Sequence, residues 1–348
     1  MSKPTLGIIG GGQLGSMLSI AANKLEIKTV VFCDDIDAPA QKFSNIFIHG
    51  EYDDQDKIKE FINKVDVITY EFENIPYETL HEMNKIKPVL PKPSINRIIQ
   101  NRITEKNFIN SLNIRTTKYV LIEKQSEMES VEGLLPGLLK TVTLGYDGKG
   151  QYLINSLENL ETINIDYSKN YILEKLVKLK KEISIIITRF DNNEYEIYEP
   201  IENFHEEQIL INSRIPAEIT DKILEQSKLW AIQISEELKY IGTLCVEFLI
   251  DRDDNLYVNE IAPRVHNSGH LTINAYNISQ FENHVRAVCK LEQIPLQKIS
   301  DAKMINIIGD QITNYQNKEF TKKEFFYDYL KKEIKNKRKM GHLTTLVS

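Results

Sequence analysis

The sequence predicts an α/β protein that turns α+β in its central part and packs as two or three units. Three observations predict it. A chain of 348 residues is two to three times a typical single domain of roughly 100 to 150 residues. Its first part alternates apolar or β-branched runs with helical patterns, the mark of a parallel sheet. From Gly137 onward that alternation gives way to closely spaced strand runs around a Gly-rich loop, followed by a hairpin. With 41% hydrophobic and 27% charged residues, the composition excludes disorder and low-complexity polymers. No run reaches the roughly 20 apolar residues of a membrane span. The apolar residues 6–9 run into Gly10-Gly11-Gly12 with no signal-peptide cleavage pattern, so a cytoplasmic protein is expected. Cys33, Cys245 and Cys289 are odd in number and far apart, which fits a reducing compartment better than disulfides or a zinc knuckle.

In order, residues 5–9 read as the first strand, and Met17, Leu18, Ala21, Ala22 and Leu25 stripe the helix that follows. Residues 29–33 and 65–70 are further strands, with a helix at 56–63 between them. Pro88, Pro91 and Pro93 close this unit, because each proline removes a donor and restricts the residue before it. Residues 94–112 read as one helix with Ser94 as its N-cap. Strands are expected at 137–140, 171–174, 182–189 and 194–198, a long helix at 217–238, a hairpin at 245–261 and a helix at 278–291. Strands and short helices form the remainder.

A net charge of −7 argues against nonspecific nucleic-acid binding. Residues 318–339 depart from it with nine Lys/Arg against four Asp/Glu, either a solvated face or a site for an anionic ligand. Gly10-x-Gly12-x-x-Gly15, with Asp34 about twenty residues on, has the form of a dinucleotide fingerprint; by itself it says only that an anion can approach a helix N-terminus. The hairpin is more informative. A two-residue turn at Asp253-Asp254 sets Glu247 opposite Glu260 and Leu249 opposite Val258. Like charges opposed across a ladder destabilise it, whereas a divalent cation between them removes the conflict. Asn259 adds an oxygen if the strand bulges. Lys140, at a strand end before the Gly-rich loop, is placed to meet phosphate, and residues 171–175 form a possible hinge against an adenine edge. His266 and His270 have zinc spacing only on a helix, which Pro263 and Gly269 oppose; a loop with Arg264, His266, Asn267 and His270 suits small anions.

Lys140 with GYDGKGQ (145–151), Glu174, Glu182, Glu247 with Asn259-Glu260, and above all NEIAPRVHNSGH (259–270) resemble the N5-carboxyaminoimidazole ribonucleotide synthetases. These form the ATPase-subunit family of bacterial phosphoribosylaminoimidazole carboxylase, within the ATP-grasp superfamily. GGGQLG (10–15), TYEFENI (69–75), Arg102 with Lys106, and RKMGH (338–342) extend the likeness over almost the whole chain. It implies an ATP-grasp architecture with an N-terminal Rossmann-like domain over 1–93, a two-lobed ATP-grasp domain over 94–291 whose mobile lid lobe covers about 115–178, and a small C-terminal domain over 292–348. ATP contacts are implied for Arg102, Lys140, Gly145, Tyr146, Asp147, Gly148, Lys149, Gly150, Gln151, Glu174, Lys175, Leu176, Val177, Glu182, His205, Asn259 and Glu260, with Mg²⁺ on Glu247 and Glu260.

The implied reaction is the ATP- and bicarbonate-dependent carboxylation of the exocyclic amine of aminoimidazole ribonucleotide in purine biosynthesis, through carboxyphosphate. Arg264 and His266 would hold bicarbonate and Asp147 would handle the amine proton. Gln13, Leu14, Glu73, Asn267 and Ser268 would meet the ribonucleotide, and Lys331, Arg338 and Lys339 its phosphate. A homodimer and a hand-off to the following mutase are further expectations. Formate-dependent glycinamide ribonucleotide transformylase is the alternative within the superfamily; an NAD enzyme or an inactive ATP-binding regulator lies outside it. Leu144 and Leu330 stand where the family usually has Gly, Ser16 and Lys335 where it usually has Arg, and the sequence ends about one helix early.

Overall fold

β1 (Leu6–Ile9) is apolar and buried at every position, so it takes the interior of a parallel sheet. β2 (Thr29–Cys33) and β4 (Val67–Tyr70) flank it, and β3 (Ile46–His49) lies outside β2. β3 escapes the sequence reading because only Ile48 of its four residues is buried. Helices α1 (Gln13–Lys24), α2 (Gln55–Ile62) and α3 (Tyr77–Asn84) complete the unit, α2 beginning where the Asp54 side chain accepts from the N–H groups of Asp56 and Lys57. In this computed structural model the described residues are 3–124, 127, 131–143, 150–161, 165–166 and 168–347, the side chains of 160 and 161 excepted.

The single helix expected over 94–112 is two. α4 (Pro93–Ile99) has Pro93 in its first turn, with Lys92 and not Ser94 at its N-cap. The chain then leaves the helix at Asn101, whose side chain accepts from the N–H groups of Ile103 and Thr104 and starts α5 (Arg102–Ser111). Asparagine gains more as a cap than inside a helix, and the break puts Arg102 at a helix start facing the central sheet.

Next, β5 (Tyr119–Ile122), β6 (Gly137–Thr141), β7 (Gln151–Ile154), α6 (Leu157–Glu161) and β8 (Tyr171–Lys175) form a lobe with its own antiparallel sheet, in the order β5-β8-β6-β7. Ile122, Val131, Leu139, Ile154, Ile165, Tyr171 and Leu173 fill its separate core.

The described residues place nine strands in the largest sheet: β9 (Leu179–Arg189), β10 (Tyr195–Ile197), β11 (Ile201–Glu206), β12 (Ile209–Ile215), β13 (Gly242–Asp251), β14 (Leu256–Ala262), β15 (Asp301–Ile308), β16 (Glu324–Asp328) and β17 (Lys339–Val347). Their order is β14-β13-β9-β11-β12-β15-β17-β16, with β10 beside β9. The last strands therefore continue the central sheet through the β12–β15 ladder. Side chains alternate across a strand, and the two faces differ sharply. Ile183, Ile185, Ile187, Leu244, Val246 and Phe248 pack under α7 (Asp221–Glu237), α4 and α5. The opposite face carries Glu182, Ser184, Asn203, Ser213, Glu247 and Glu260, which the pairing places side by side.

The short helix α8 (Thr272–Ala275), α9 (Gln280–Val288) and α10 (Thr313–Gln316) complete the elements. α9 joins the first unit to the sheet, since Leu18 and Ala21 of α1 share one core with Phe281, Val285 and Val288. Buried His284 reinforces the joint. The Thr243 backbone N–H donates to its Nδ1 at 3.0 Å, so Nε2 carries the proton and donates to Thr69 Oγ1 at 2.8 Å. Among the described residues no helix is long and apolar enough to cross a membrane, and the three cysteines are buried free thiols.

Candidate functional site

The hairpin does set Glu247 opposite Glu260, by a different route from the expected one. The turn is wider than two residues: the Asp251 side chain accepts from the N–H groups of Asp253 and Asn255, and Asp254 takes φ +60°. This pairs Leu249 with Tyr257, and Phe248 rather than Leu249 with Val258. A bulge at Asn259 then restores the carboxylate pair. Glu260 pairs with Arg102 at 3.2 Å. Glu247 meets His266 Nε2 at 3.0 Å; burial would raise its pKa, but His266 and then His205 hold it down to about 2. Two facing carboxylates, one kept anionic, with a bulged Asn259 beside them, fit a hard divalent cation such as Mg²⁺.

A second cluster is buried where the lobe meets α5. Glu174 lies 3.2 Å from both Lys140 and Lys106, and the Thr117 hydroxyl donates to it at 2.9 Å. Burial raises the Glu174 pKa and the two lysines more than reverse this, holding it at about 2. Its side chain therefore fixes the lysines. The hinge donors expected to face adenine are partly engaged, because the N–H groups of Lys175 and Leu176 donate to the carbonyls of Lys118 and Pro136. Glu182 of β9 and His205 of β11 pair at 2.7 Å, with His205 at the bulge in the β11–β12 ladder.

Arg264 Nε donates to Glu73 at 2.6 Å, joining the segment after β14 to the first unit. Burial alone would raise the Glu73 pKa; Arg264 holds it below the usual carboxylate range. Contrary to the expectation of a loop, residues after His266 are helical, with His266 as N-cap of a 3₁₀ turn (Asn267–Leu271) leading into α8. His266 and His270 nonetheless part company. His270 is sealed against Phe281, Tyr329 and His342, and burial lowers its pKa well below 6.5. Ser268, expected to touch the ribonucleotide, is fully buried; its hydroxyl bonds His266 Nδ1 at 2.9 Å and Ser184 Oγ at 2.7 Å. Asn267 is also buried, its Oδ1 accepting from Asn306 at 2.6 Å.

The glycine fingerprint is already filled. Glu71, buried behind it, accepts from the N–H groups of Gly12 and Gly15; a Cβ added at Gly10 or Gly12 would strike its side chain, and one at Gly15 the Gly10 carbonyl oxygen. A dinucleotide phosphate has no room there, which disposes of the NAD reading. Gln13, next to this loop, accepts from Lys331 Nζ at 2.7 Å, and Lys331 also donates to the Lys339 carbonyl at 2.7 Å. Leu14 packs against the core below, while Arg338 donates to the Glu333 carbonyl. Gly150 takes φ +71° and Gln151 opens β7. Gly145, Tyr146, Asp147, Gly148 and Lys149 lie outside the described residues, as does Leu144.

Sequence reasoning gave no role to Glu71, Glu105, Ser184 or Asn203. Glu105 accepts from the Ile261 N–H at 2.6 Å behind Glu260. One signal was present: Glu105 stands four residues before Ile109, on the buried stripe of α5, where a lone acid is out of place. The electrostatics also bind the site together, since Glu247 feels Arg264, Arg102 feels Glu174, and His205 feels Glu247 and Lys339.

Comparisons agree with this geometry. Family models match in chain order: a ribonucleotide synthetase preATP-grasp domain at residues 3–100, an ATP-grasp domain at 107–281, and a phosphoribosylaminoimidazole carboxylase C-terminal domain at 302–348. The chain is 38% identical over 344 residues to the N5-carboxyaminoimidazole ribonucleotide synthase of Bacillus subtilis strain 168, covering 97% of this chain and 90% of that one. The synthase of Brucella melitensis is 39% identical over 347 residues, covering 98% and 96%. The fold superposes on the Staphylococcus aureus synthetase complexed with ADP with a TM-score of 0.93 at 35% identity, covering 99% and 93%. The Aspergillus clavatus synthase in complex with ADP and 5-aminoimidazole ribonucleotide gives 0.90 at 27% identity, covering 99% and 94%.

Proposed function

The chain belongs to the N5-carboxyaminoimidazole ribonucleotide synthase family of ATP-grasp enzymes, and from that membership we propose that it uses ATP and bicarbonate to carboxylate the exocyclic amine of 5-aminoimidazole ribonucleotide, releasing ADP and phosphate. One observation supports this reading most: groups from all three matched regions converge on the polar face of the large sheet. Glu73 comes from the first, Glu247, Glu260, Arg264 and His266 from the second, and Lys331 and Lys339 from the third.

Lys140, positioned by Glu174, places a point charge against the nucleotide phosphates. Glu182 and His205 hold each other at the nucleotide's far end. Glu247 and Glu260 would carry Mg²⁺, which supplies charge neutralisation for phosphoryl transfer to bicarbonate. Arg264, anchored to Glu73 through Nε, keeps its Nη2 without a partner among the described residues, as a fixed donor for bicarbonate and then for the carboxyphosphate formed from it. The ribonucleotide amine attacks that species or the CO₂ it releases, and Asp147 takes the amine proton. Lys331 and Lys339 meet the ribonucleotide phosphate beside Gln13. The same reading carries three domains (1–93, 94–291, 292–348) and a cytoplasmic homodimer that passes its product to the next mutase.

The test is a coupled ADP-release assay. ADP is expected only when 5-aminoimidazole ribonucleotide, bicarbonate and Mg²⁺ are all supplied. Equal release with glycinamide ribonucleotide and formate would transfer the chain to the transformylase reaction.

A further inference from the structure

The reaction uses no thiol, yet Cys245 lies against the reacting face. Cys245 and Glu247 are alternate residues of β13 and point to the same side, and the ligand atoms of Cys245, Glu247 and His266 all lie within 4.8 Å of one another. We propose that these three side chains form a site for a borderline-soft divalent cation of the zinc class, separate in chemistry from the hard-ion pair Glu247 and Glu260.

The donor set carries the argument. Mg²⁺ takes oxygen ligands and has no use for a thiolate, whereas sulfur, imidazole nitrogen and one carboxylate oxygen are what Zn²⁺ binds. The surroundings supply the support that a metal-binding histidine needs. His266 Nδ1 is fixed by the Ser268 hydroxyl at 2.9 Å, and Ser268 is tied to Ser184 at 2.7 Å. Asn203 donates to Ser184 at 3.0 Å, and Ser213 donates to Asn203 at 2.8 Å. This row of buried groups fixes the ring with Nε2 toward Glu247.

Proton accounting follows from the same contacts. A cysteine with no ion bound carries its thiol proton near neutral pH. The Ser268 backbone N–H faces Nδ1 at 3.4 Å and can only donate, which leaves the ring proton on Nε2. Coordination removes the thiol proton to solvent and moves the ring proton from Nε2 to Nδ1, where the Ser268 hydroxyl accepts it, so one proton is released per ion. Because Glu247 belongs to both sites, a zinc-class ion displaces the hard one and blocks turnover until a chelator removes it. Binding itself does not depend on which reaction the protein catalyses.

The experiment is a Co²⁺ titration of the metal-free full chain, read as thiolate-to-cobalt charge-transfer absorption in the near ultraviolet. The band is expected to saturate at one Co²⁺ per chain, to be discharged by Zn²⁺ and to survive a large excess of Mg²⁺. Cys245→Ala, with its fold checked by circular dichroism, is expected to lose the band. His266→Gln is expected to weaken Co²⁺ binding at least about tenfold. No band in the wild type, or a band that persists in Cys245→Ala and so arises from Cys33 or Cys289, overturns the proposal. If Cys245→Ala does not fold, an unchanged Co²⁺ affinity in His266→Gln overturns it.

Discussion

Glu105 and Glu174, both buried, have pKa values displaced in opposite directions because their neighbours differ. Burial and then the charge of Glu260 raise Glu105 to about 8, whereas Lys140 and Lys106 overcome burial and hold Glu174 at about 2. The signs follow. Glu174 stabilises the fold above its unfolded pKa of 4.5, and that stability is lost as pH falls toward 2. Glu105 is protonated when folded and ionised when unfolded between 4.5 and about 8, so stability falls as pH rises through that window. Glu105→Gln keeps an acceptor for the Ile261 N–H and removes the titration. The unfolding free energy of the wild type relative to the variant, read from urea titrations without divalent ions, is therefore expected to fall between pH 5 and 8 by an amount on the order of a few kcal/mol; a pH-independent difference would mean that Glu105 does not titrate in that window. Motif and spacing singled out Glu247, Glu260 and Lys140, and the facing of the two carboxylates was legible in the hairpin. They could not reveal Glu174 as a clamp for two lysines, since that depends on a helix and a strand from different lobes meeting edge on.

At the level of elements, the hairpin was legible at its destination and not along its path. The Asp251 side chain, bonding forward to Asp253 and Asn255, widens the turn and shifts the register by one residue; the bulge at Asn259 shifts it back. A pattern of alternating side chains cannot separate that pair of offsets from none. The segment between β16 and β17 shows a departure with a measurable cost. Leu330 adopts φ +54°, a left-handed conformation that a β-carbon disfavours and that the glycine usual at this point in the family would accept freely. Asparagine tolerates that region without glycine's loss of unfolded-state order. Leu330→Asn is expected to raise stability by roughly 0.5 to 1 kcal/mol, seen as a higher urea midpoint with unchanged slope. A lower midpoint would mean that the leucine side chain contributes more than its backbone costs.

Across the whole molecule, the expectation of three successive units caught the parallel first sheet and the separate lobe, because each has its own periodicity. It missed that β15 and β17 extend the sheet that carries Glu182, Glu247 and Glu260, since which strands pair over long separations is not written in local pattern. The joint between the first unit and the sheet rests on α9, where His284 is held near a pKa of 4 by burial and bridges Thr69 to Thr243. His284→Ala leaves both partners unsatisfied in the interior and is expected to cost about 2 to 4 kcal/mol. Calorimetry is expected to show one transition in the wild type and two in the variant as the units uncouple. The carboxylate of Glu71 gives the joint a further property. It is the protein's own counter-ion, seated where nucleotide-binding folds wait for a phosphate, so the turn into α1 is ordered before any substrate arrives. On the proposed reading, in which Lys331 and Lys339 take the ribonucleotide phosphate, the ligand meets side-chain ammonium groups in place of backbone amides, and its affinity for the free enzyme is expected to depend on ionic strength in a way that a peptide-lined phosphate cradle would not.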